Sequence, residues 1–138
     1  MSFSLQVVNG DLAVQGSQMG IVYGVDKLKQ DLTLWMVERY GIDRFHPGMG
    51  SYFQNYIGGI ISYATQAMVR NEAERIVDNY TRVQRRGLRE APSLYSLSEL
   101  LNSINSINVG VGFDTVSVAV SVSNAQQQST TVAVTQGT

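Results

Sequence analysis

The segment INVGVGFDTVSVAVSV, residues 107–122, limits the fold more than any other part of the chain. Ile107, Val109, Val111 and Phe113 alternate with small or polar residues, and Val116, Val118, Val120 and Val122 then alternate again. Successive side chains of a strand point to opposite faces, so this two-residue period describes β-structure with one oily face. Asp114-Thr115 interrupts it, giving two strands or one long bent strand. A polar turn at residues 124–129 leads into a further strand at residues 130–135, with Val132 and Val134 on one face. A three-stranded sheet of this size needs cover. It also has open edges, and residues 107–138 contain no lysine, arginine or proline to discourage pairing with another chain. Such an edge suits a protein that receives a partner's strand.

The remainder reads as a hairpin, helices and a corner. Phe3, Leu5, Val7 and then Leu12, Val14 alternate around Asn9-Gly10, a strong hairpin signal. A helix is expected from Val25 to Gly41, burying Val25, Leu28, Leu32, Trp35 and Met36, with Leu34 and Val37 on another side. DRFHPGMGSYFQNYIGG, residues 43–59, is a glycine-rich corner followed by a short helix capped by Ser51, with Tyr52, Phe53, Tyr56 and Ile57 inward. A long helix follows from Ile60 to about Arg86, ending at Gly87. Its apolar stripe changes side: Ile60, Ala64, Ala67 and Met68 mark one face, Val69, Ala73, Ile76, Tyr80 and Val83 nearly the opposite. One neighbour cannot cover both, so the helix kinks near Asn71 or its later half packs on another subunit. Arg82, Arg85, Arg86 and Arg89 favour the negative end of the helix dipole. After Pro92, Ser96 or Ser98 caps a short helix through Leu97, Leu100, Leu101 and Ile104.

Composition narrows the chemistry. Ten basic against eleven acidic residues in 138 leave no basic surface for nucleic acid or a membrane face. The lack of cysteine removes disulfides and thiolate zinc sites, and no clustered carboxylates suggest another metal or a cofactor. The first residues lack a signal peptide's basic start and long apolar core, and no run reaches membrane-span length. A glycosidase needs two carboxyl groups roughly 5 to 9.5 Å apart. Glu38 with Asp43, and Glu72 with Glu74, are candidates, but their spacing is unspecific. His46, the single histidine, lacks a motif partner and reads as structural: Pro47 holds it extended, and Gly48 and Gly50 permit turns.

The order of these elements resembles the baseplate wedge, or sheath initiator, family of contractile-tailed bacteriophages. That family is shared with type VI secretion baseplates, and its members were once labelled baseplate lysozymes. The resemblance rests on Gly10, Asp11 and Leu12, on Gly24, Gln30, Asp31 and Leu32, and on Gly41, Phe45, Pro47, Gly50 and Gly58. It implies an α+β fold: an N-terminal β-hairpin, a helical core with one long helix, and a small C-terminal antiparallel or mixed sheet of the sheath "handshake" type. The organisation expected is a hairpin plus helical wedge domain over residues 1–104 and a strand-exchange unit over residues 105–138.

The role so implied is that of a virion structural protein without enzymatic activity, made in the host cytoplasm. Its partners would be larger wedge subunits, the sheath protein, and tube or hub proteins. Val116, Val118, Val120, Val122, Val132 and Val134 would carry strand exchange, and Val69, Ala73, Ile76, Tyr80 and Val83 a wedge helix bundle. Phe45, Pro47, Gly50, Tyr52, Phe53 and Gly58 would form the structural corner that clamps the first helix. Many relatives carry Glu-Pro-Arg ahead of the strands; here the nearest string is Glu90-Ala91-Pro92, so no contact is carried over from it. Two other functions compete: a peptidoglycan-cleaving lysozyme, and an adaptor whose sheet edge binds extended peptides.

Overall fold

The computed structural model describes residues 3–59 and 61–137. It is a mixed α+β fold, with short N-terminal strand pairs, two helices and a C-terminal three-stranded antiparallel sheet.

The N-terminal part is more elaborate than one hairpin. Six two-residue strands, β1 (Ser4–Leu5), β2 (Val7–Val8), β3 (Asp11–Leu12), β4 (Val14–Gln15), β5 (Gln18–Met19) and β6 (Ile21–Val22), pair as β1–β6, β2–β3 and β4–β5. The expected Asn9-Gly10 turn closes β2–β3, both of its residues having positive φ. At the centre, Gln6 N–H donates to Gly20 O, Ala13 N–H to Gln6 O and Gly20 N–H to Ala13 O, each at 2.8 Å. These three residues are seven apart, and the flanking triplets Leu5-Gln6-Val7, Leu12-Ala13-Val14 and Met19-Gly20-Ile21 correspond. The unit is thus an internal threefold repeat closed by a ring of backbone bonds. Gly20 is buried at its centre, where a Cβ would lie 2.6 Å from Gln6 Oε1.

Helix α1 (Gly24–Val37) buries Leu28, Leu32, Trp35 and Met36 as the periodicity requires. It stops short of Gly41 because Ser51 intercepts its end. The Ser51 hydroxyl donates to Met36 O at 2.7 Å and its N–H to Glu38 O at 2.8 Å, while Arg39 bridges Ser51 in parallel. Ser51 therefore closes one helix instead of starting another, and the expected short helix is only a 3-10 turn, Phe53–Tyr56.

Helix α2 (Tyr63–Glu90) is capped by the Ser62 hydroxyl, which accepts from Thr65 N–H. Its expected start at Ile60 lies outside the described residues. It continues through Gly87, which is a packing glycine and no terminator: a Cβ there would run into the Tyr95 hydroxyl. The helix expected over residues 96–104 is absent. A 3-10 turn, Pro92–Leu94, leads instead to strand β7 (Leu101–Val111). Buried Gln84 fixes this switch, donating to Glu99 O at 2.6 Å and accepting from Leu101 N–H at 2.9 Å, which commits Leu101 to the sheet.

Strands β7, β8 (Thr115–Asn124) and β9 (Ser129–Gly137) form an antiparallel meander with β8 in the middle. Asn124 is fully buried and shapes the second turn, its Oδ1 accepting from Gln126 and Gln128 N–H and its Nδ2 donating to Ser98 O. The oily face of the sheet and the helices share one core, from Leu28 through Ile76 to Val134. Residue 104, the expected domain boundary, lies inside β7.

Candidate functional site

The Gln-Asp-Leu triplet of α1 points three ways. Gln30 holds the N-terminal unit, accepting from Val7 N–H at 2.9 Å and donating to Leu5 O at 2.8 Å, as a neighbouring strand would. Leu32 enters the core. Asp31 accepts from Lys27 Nζ at 2.8 Å and from the Tyr80 hydroxyl at 3.3 Å, and that hydroxyl accepts from Gln84 Nε2 at 3.1 Å. These groups line a cleft of about 320 Å³ between α1, α2 and the corner, together with His46 and Met49. Burial first, and then the Asp31 carboxylate, push the Tyr80 phenol well above its usual pKa, so it stays a neutral donor. Trp35 meets the Tyr80 ring edge-on, 5.5 Å between centroids. His46 thus does line a cleft of mixed polar and apolar character, although its sequence context marks only a turn.

The corner is held by charge. Buried Glu72 accepts from Tyr52 N–H at 2.9 Å and pairs with Arg75, which also donates to Gly50 O. The Arg75 guanidinium packs against the rings of Tyr40 and Tyr52, themselves stacked at 4.8 Å. Bonded to Glu72, Arg75 has its pKa raised further. Gly50 is obligatory: at φ +109° a Cβ would lie 2.5 Å from Arg39 O. Phe53 is buried and Gly58 has positive φ, as a packed corner requires. Tyr52 is half exposed and packs on Arg75 and Tyr40, not in the core. Phe45 is no packing residue at all. It is 90% exposed, because Asp43 and Pro47 turn the backbone outward there.

The two expected interaction stripes are spent largely inside the chain. Val69, Ala73, Ile76 and Tyr80 are buried in the core, and only Val83 stays part-exposed. The stripe left outside is the earlier one, with Ala64, Ala67 and Met68 exposed. Val116, Val118, Val120 and Val122 lie in the central strand, buried and with backbone partners on both sides. Val132 and Val134 are also buried, but their strand β9 is an edge. The open edges therefore belong to β7 and β9. β7 carries two register irregularities, at Leu101/Ser103 and Ile104/Ser106, whereas β9 pairs evenly from Ser129 to Gly137.

Among the carboxylates expected as catalytic candidates, Glu38 and Glu74 are exposed and Glu72 serves the corner. Asp43 accepts from Phe45 N–H at 2.8 Å and His46 N–H at 3.2 Å, and these bonds hold it below the usual carboxylate range. Among the described residues, no group of three or more His, Cys, Asp or Glu could hold a metal, and no helix is long and apolar enough to cross a membrane.

The fold defines an α+β class with a known structural neighbour. A crystal structure of a protein described as "putative tail lysozyme" from Geobacter sulfurreducens superposes with a TM-score of 0.55 over 81% of this chain and 88% of that one, at 8% sequence identity. No protein-family profile matches the chain, and no curated protein is similar to it in sequence. The expectation of a chain without enzymatic activity is corrected by this neighbour, whose name is that of a hydrolase. The absence of a catalytic motif in the sequence was insufficient ground for excluding one.

Proposed function

We propose that the chain is a structural component of a contractile phage tail baseplate, joining the wedge and starting the sheath by β-strand addition at the β9 edge. What supports the tail association is the likeness of fold to the tail lysozyme neighbour. The observation that carries the mechanism is the β9 edge: nine evenly paired residues without a charge, bonded on one side to β8. Bulges such as those in β7 twist an edge away from new partners, and β9 has no such defence. An incoming extended arm would gain main-chain hydrogen bonds there, and wedge subunits would meet the helices.

The test leaves the core intact. Ala133 and Thr135 are exposed on β9, so Ala133→Lys with Thr135→Lys charges the edge without touching the buried valines. Baseplates carrying this variant should fail to nucleate sheath, while the purified chain keeps its thermal midpoint. Normal sheath growth would sink strand addition at β9. Proline at Val118 or Val120 is unsuitable, since both lie in the doubly paired central strand.

The neighbour's name supports a second reading, cleavage of peptidoglycan. Asp43, held ionised, could serve as a base or nucleophile but not as the proton donor. Turbidity loss on purified cell wall, abolished by Asp43→Asn with the fold retained, would establish it. Wall left intact by the purified chain would remove it.

A further inference from the structure

The later part of α2 carries a charge pattern that the fold does not use. Arg82, Arg85, Arg86 and Arg89 are four of the chain's ten basic residues, set within eight positions that contain no acidic one. At about 100° per residue they occupy about 100° of arc on one side of the helix, opposite the buried Ala73, Tyr80 and Gln84. All four are exposed, and among the described residues none is in an ion pair, the bridges there being those of Lys27, His46 and Arg75. The flanking carboxylates, Asp78 and Glu90, pair with none of them. The helix dipole accounts for Arg89 alone, since its effect fades beyond the last turn and Arg89 is the basic residue there. Like charges three and four residues apart repel, so Arg82 with Arg85 and Arg86, and these two with Arg89, weaken the isolated helix.

Beside this stripe is a groove of about 430 Å³, lined by Arg82 and Arg85 from α2, by Asn102 and Ser103 from β7, and by apolar Val77 and Ile104. Asp78 lines it too, so two guanidinium groups stand there against one carboxylate. Asn102 falls outside the β7–β8 ladder at the first register irregularity, and both it and Ser103 are exposed, adding neutral hydrogen-bonding groups next to the charges.

We infer that this face binds an acidic segment of another protein, one that presents three or four carboxylates to Arg82, Arg85, Arg86 and Arg89. The stripe extends over about 10 Å of helix axis, the length of about two turns of a partner helix with acidic residues three and four apart. Each guanidinium can bond a carboxylate through two parallel N–H donors, and the neighbouring arginines then cease to repel. A nucleic acid fits less well: its backbone needs a wider positive surface, and the chain as a whole has a net charge of −1 in spite of this run. Neither the tail assignment nor the β9 edge is needed for this surface to act.

Fluorescence anisotropy of a labelled, alanine-based helical peptide with four glutamates on one face tests it against the purified chain. The wild type should bind, and more weakly as salt rises from about 50 to about 300 mM, since exposed charges are screened. Arg82→Glu with Arg85→Glu should weaken binding by about tenfold or more and pass the preference to the same peptide with lysines for glutamates. Arg82→Gln with Arg85→Gln, which removes charge without reversing it, should weaken binding less. Both variants should keep the wild-type circular dichroism and thermal midpoint, because neither arginine is buried or paired within the chain. Four outcomes overturn the proposal: no binding at low salt, binding indifferent to the charge reversal, equal binding of a peptide whose glutamates are spread around the helix, or tighter binding of a DNA oligonucleotide of equal charge.

Discussion

Residues 4–22 and residues 101–137 are both β-structure, yet the first turns most of its large apolar side chains to solvent while the second buries its valines. In the N-terminal unit, order comes from the backbone ring of Gln6, Ala13 and Gly20 and from the Gln30 amide. Leu5, Val8, Leu12, Val14, Met19 and Ile21 remain exposed around it. In the C-terminal sheet, order comes from Val116 to Val122 and from Val132 and Val134, pressed against both helices. Hydrogen bonding alone contributes little net stability, because water competes for the same groups; removing apolar area from water contributes more. The sheet should therefore carry the cooperative unfolding, and the N-terminal unit should open locally.

The largest expected effect breaks that contrast most directly. Val120→Asp places a charge at a fully buried point of the central strand and should cost about 5 kcal/mol, enough to abolish the cooperative melt seen by circular dichroism. Val14→Asp, on a side chain 64% exposed, should change stability by no more than about 0.5 kcal/mol in the same experiment. Equal losses would show that the two regions unfold as one.

Arg75→Ala comes next, testing the corner that links α1 to α2. It leaves the buried Glu72 carboxylate without its cation and should cost about 3 kcal/mol by urea denaturation. A smaller loss for the double change with Glu72→Gln would show that the stranded charge is the cause. Gln30→Ala sharpens the comparison from the other end. Removing both bonds to Leu5 and Val7 should raise amide exchange across residues 5–22 while lowering global stability by only about 1 kcal/mol.

The smallest effect concerns pH. Asp43 is held below the usual carboxylate range chiefly by the Phe45 N–H, and further by the N–H of His46 and its nearby ring. A depressed carboxylate contributes fully above the unfolded chain's pKa and loses that contribution as pH falls through the folded value. The Phe45 and His46 amide resonances should therefore move together on acidification below the ordinary carboxylate range, with global unfolding unaffected at that point. Asp43→Asn should abolish the movement.

Several features were legible in the residues because they are local and periodic. The alternating valines placed β8, β9 and the later part of β7 from Ile107, and the spacing of Leu28, Leu32, Trp35 and Met36 placed α1; the first half of β7, expected as helix, was not placed. The cleft was not legible, because Asp31, Tyr80 and His46 are brought together only by the crossing of α1, α2 and the corner. Phe45, expected in the structural corner, stands in solvent at the Asp43 turn, because an aromatic in a glycine-rich segment does not by itself say which way its backbone turns.

The sequence by itself determined which segments are helix, strand or turn wherever a repeat of two or of about three and a half residues was long enough to outweigh local ambiguity. Tertiary structure alone decided where those segments stop and which faces are used. Ser51 ends α1 from 15 residues away, Gln84 turns Leu101 from helix to strand, and the later stripe of α2, not the earlier one, is taken into the core. The reason is physical. A buried polar group must find its partner wherever the chain brings one, and an apolar stripe counts only when another surface covers it.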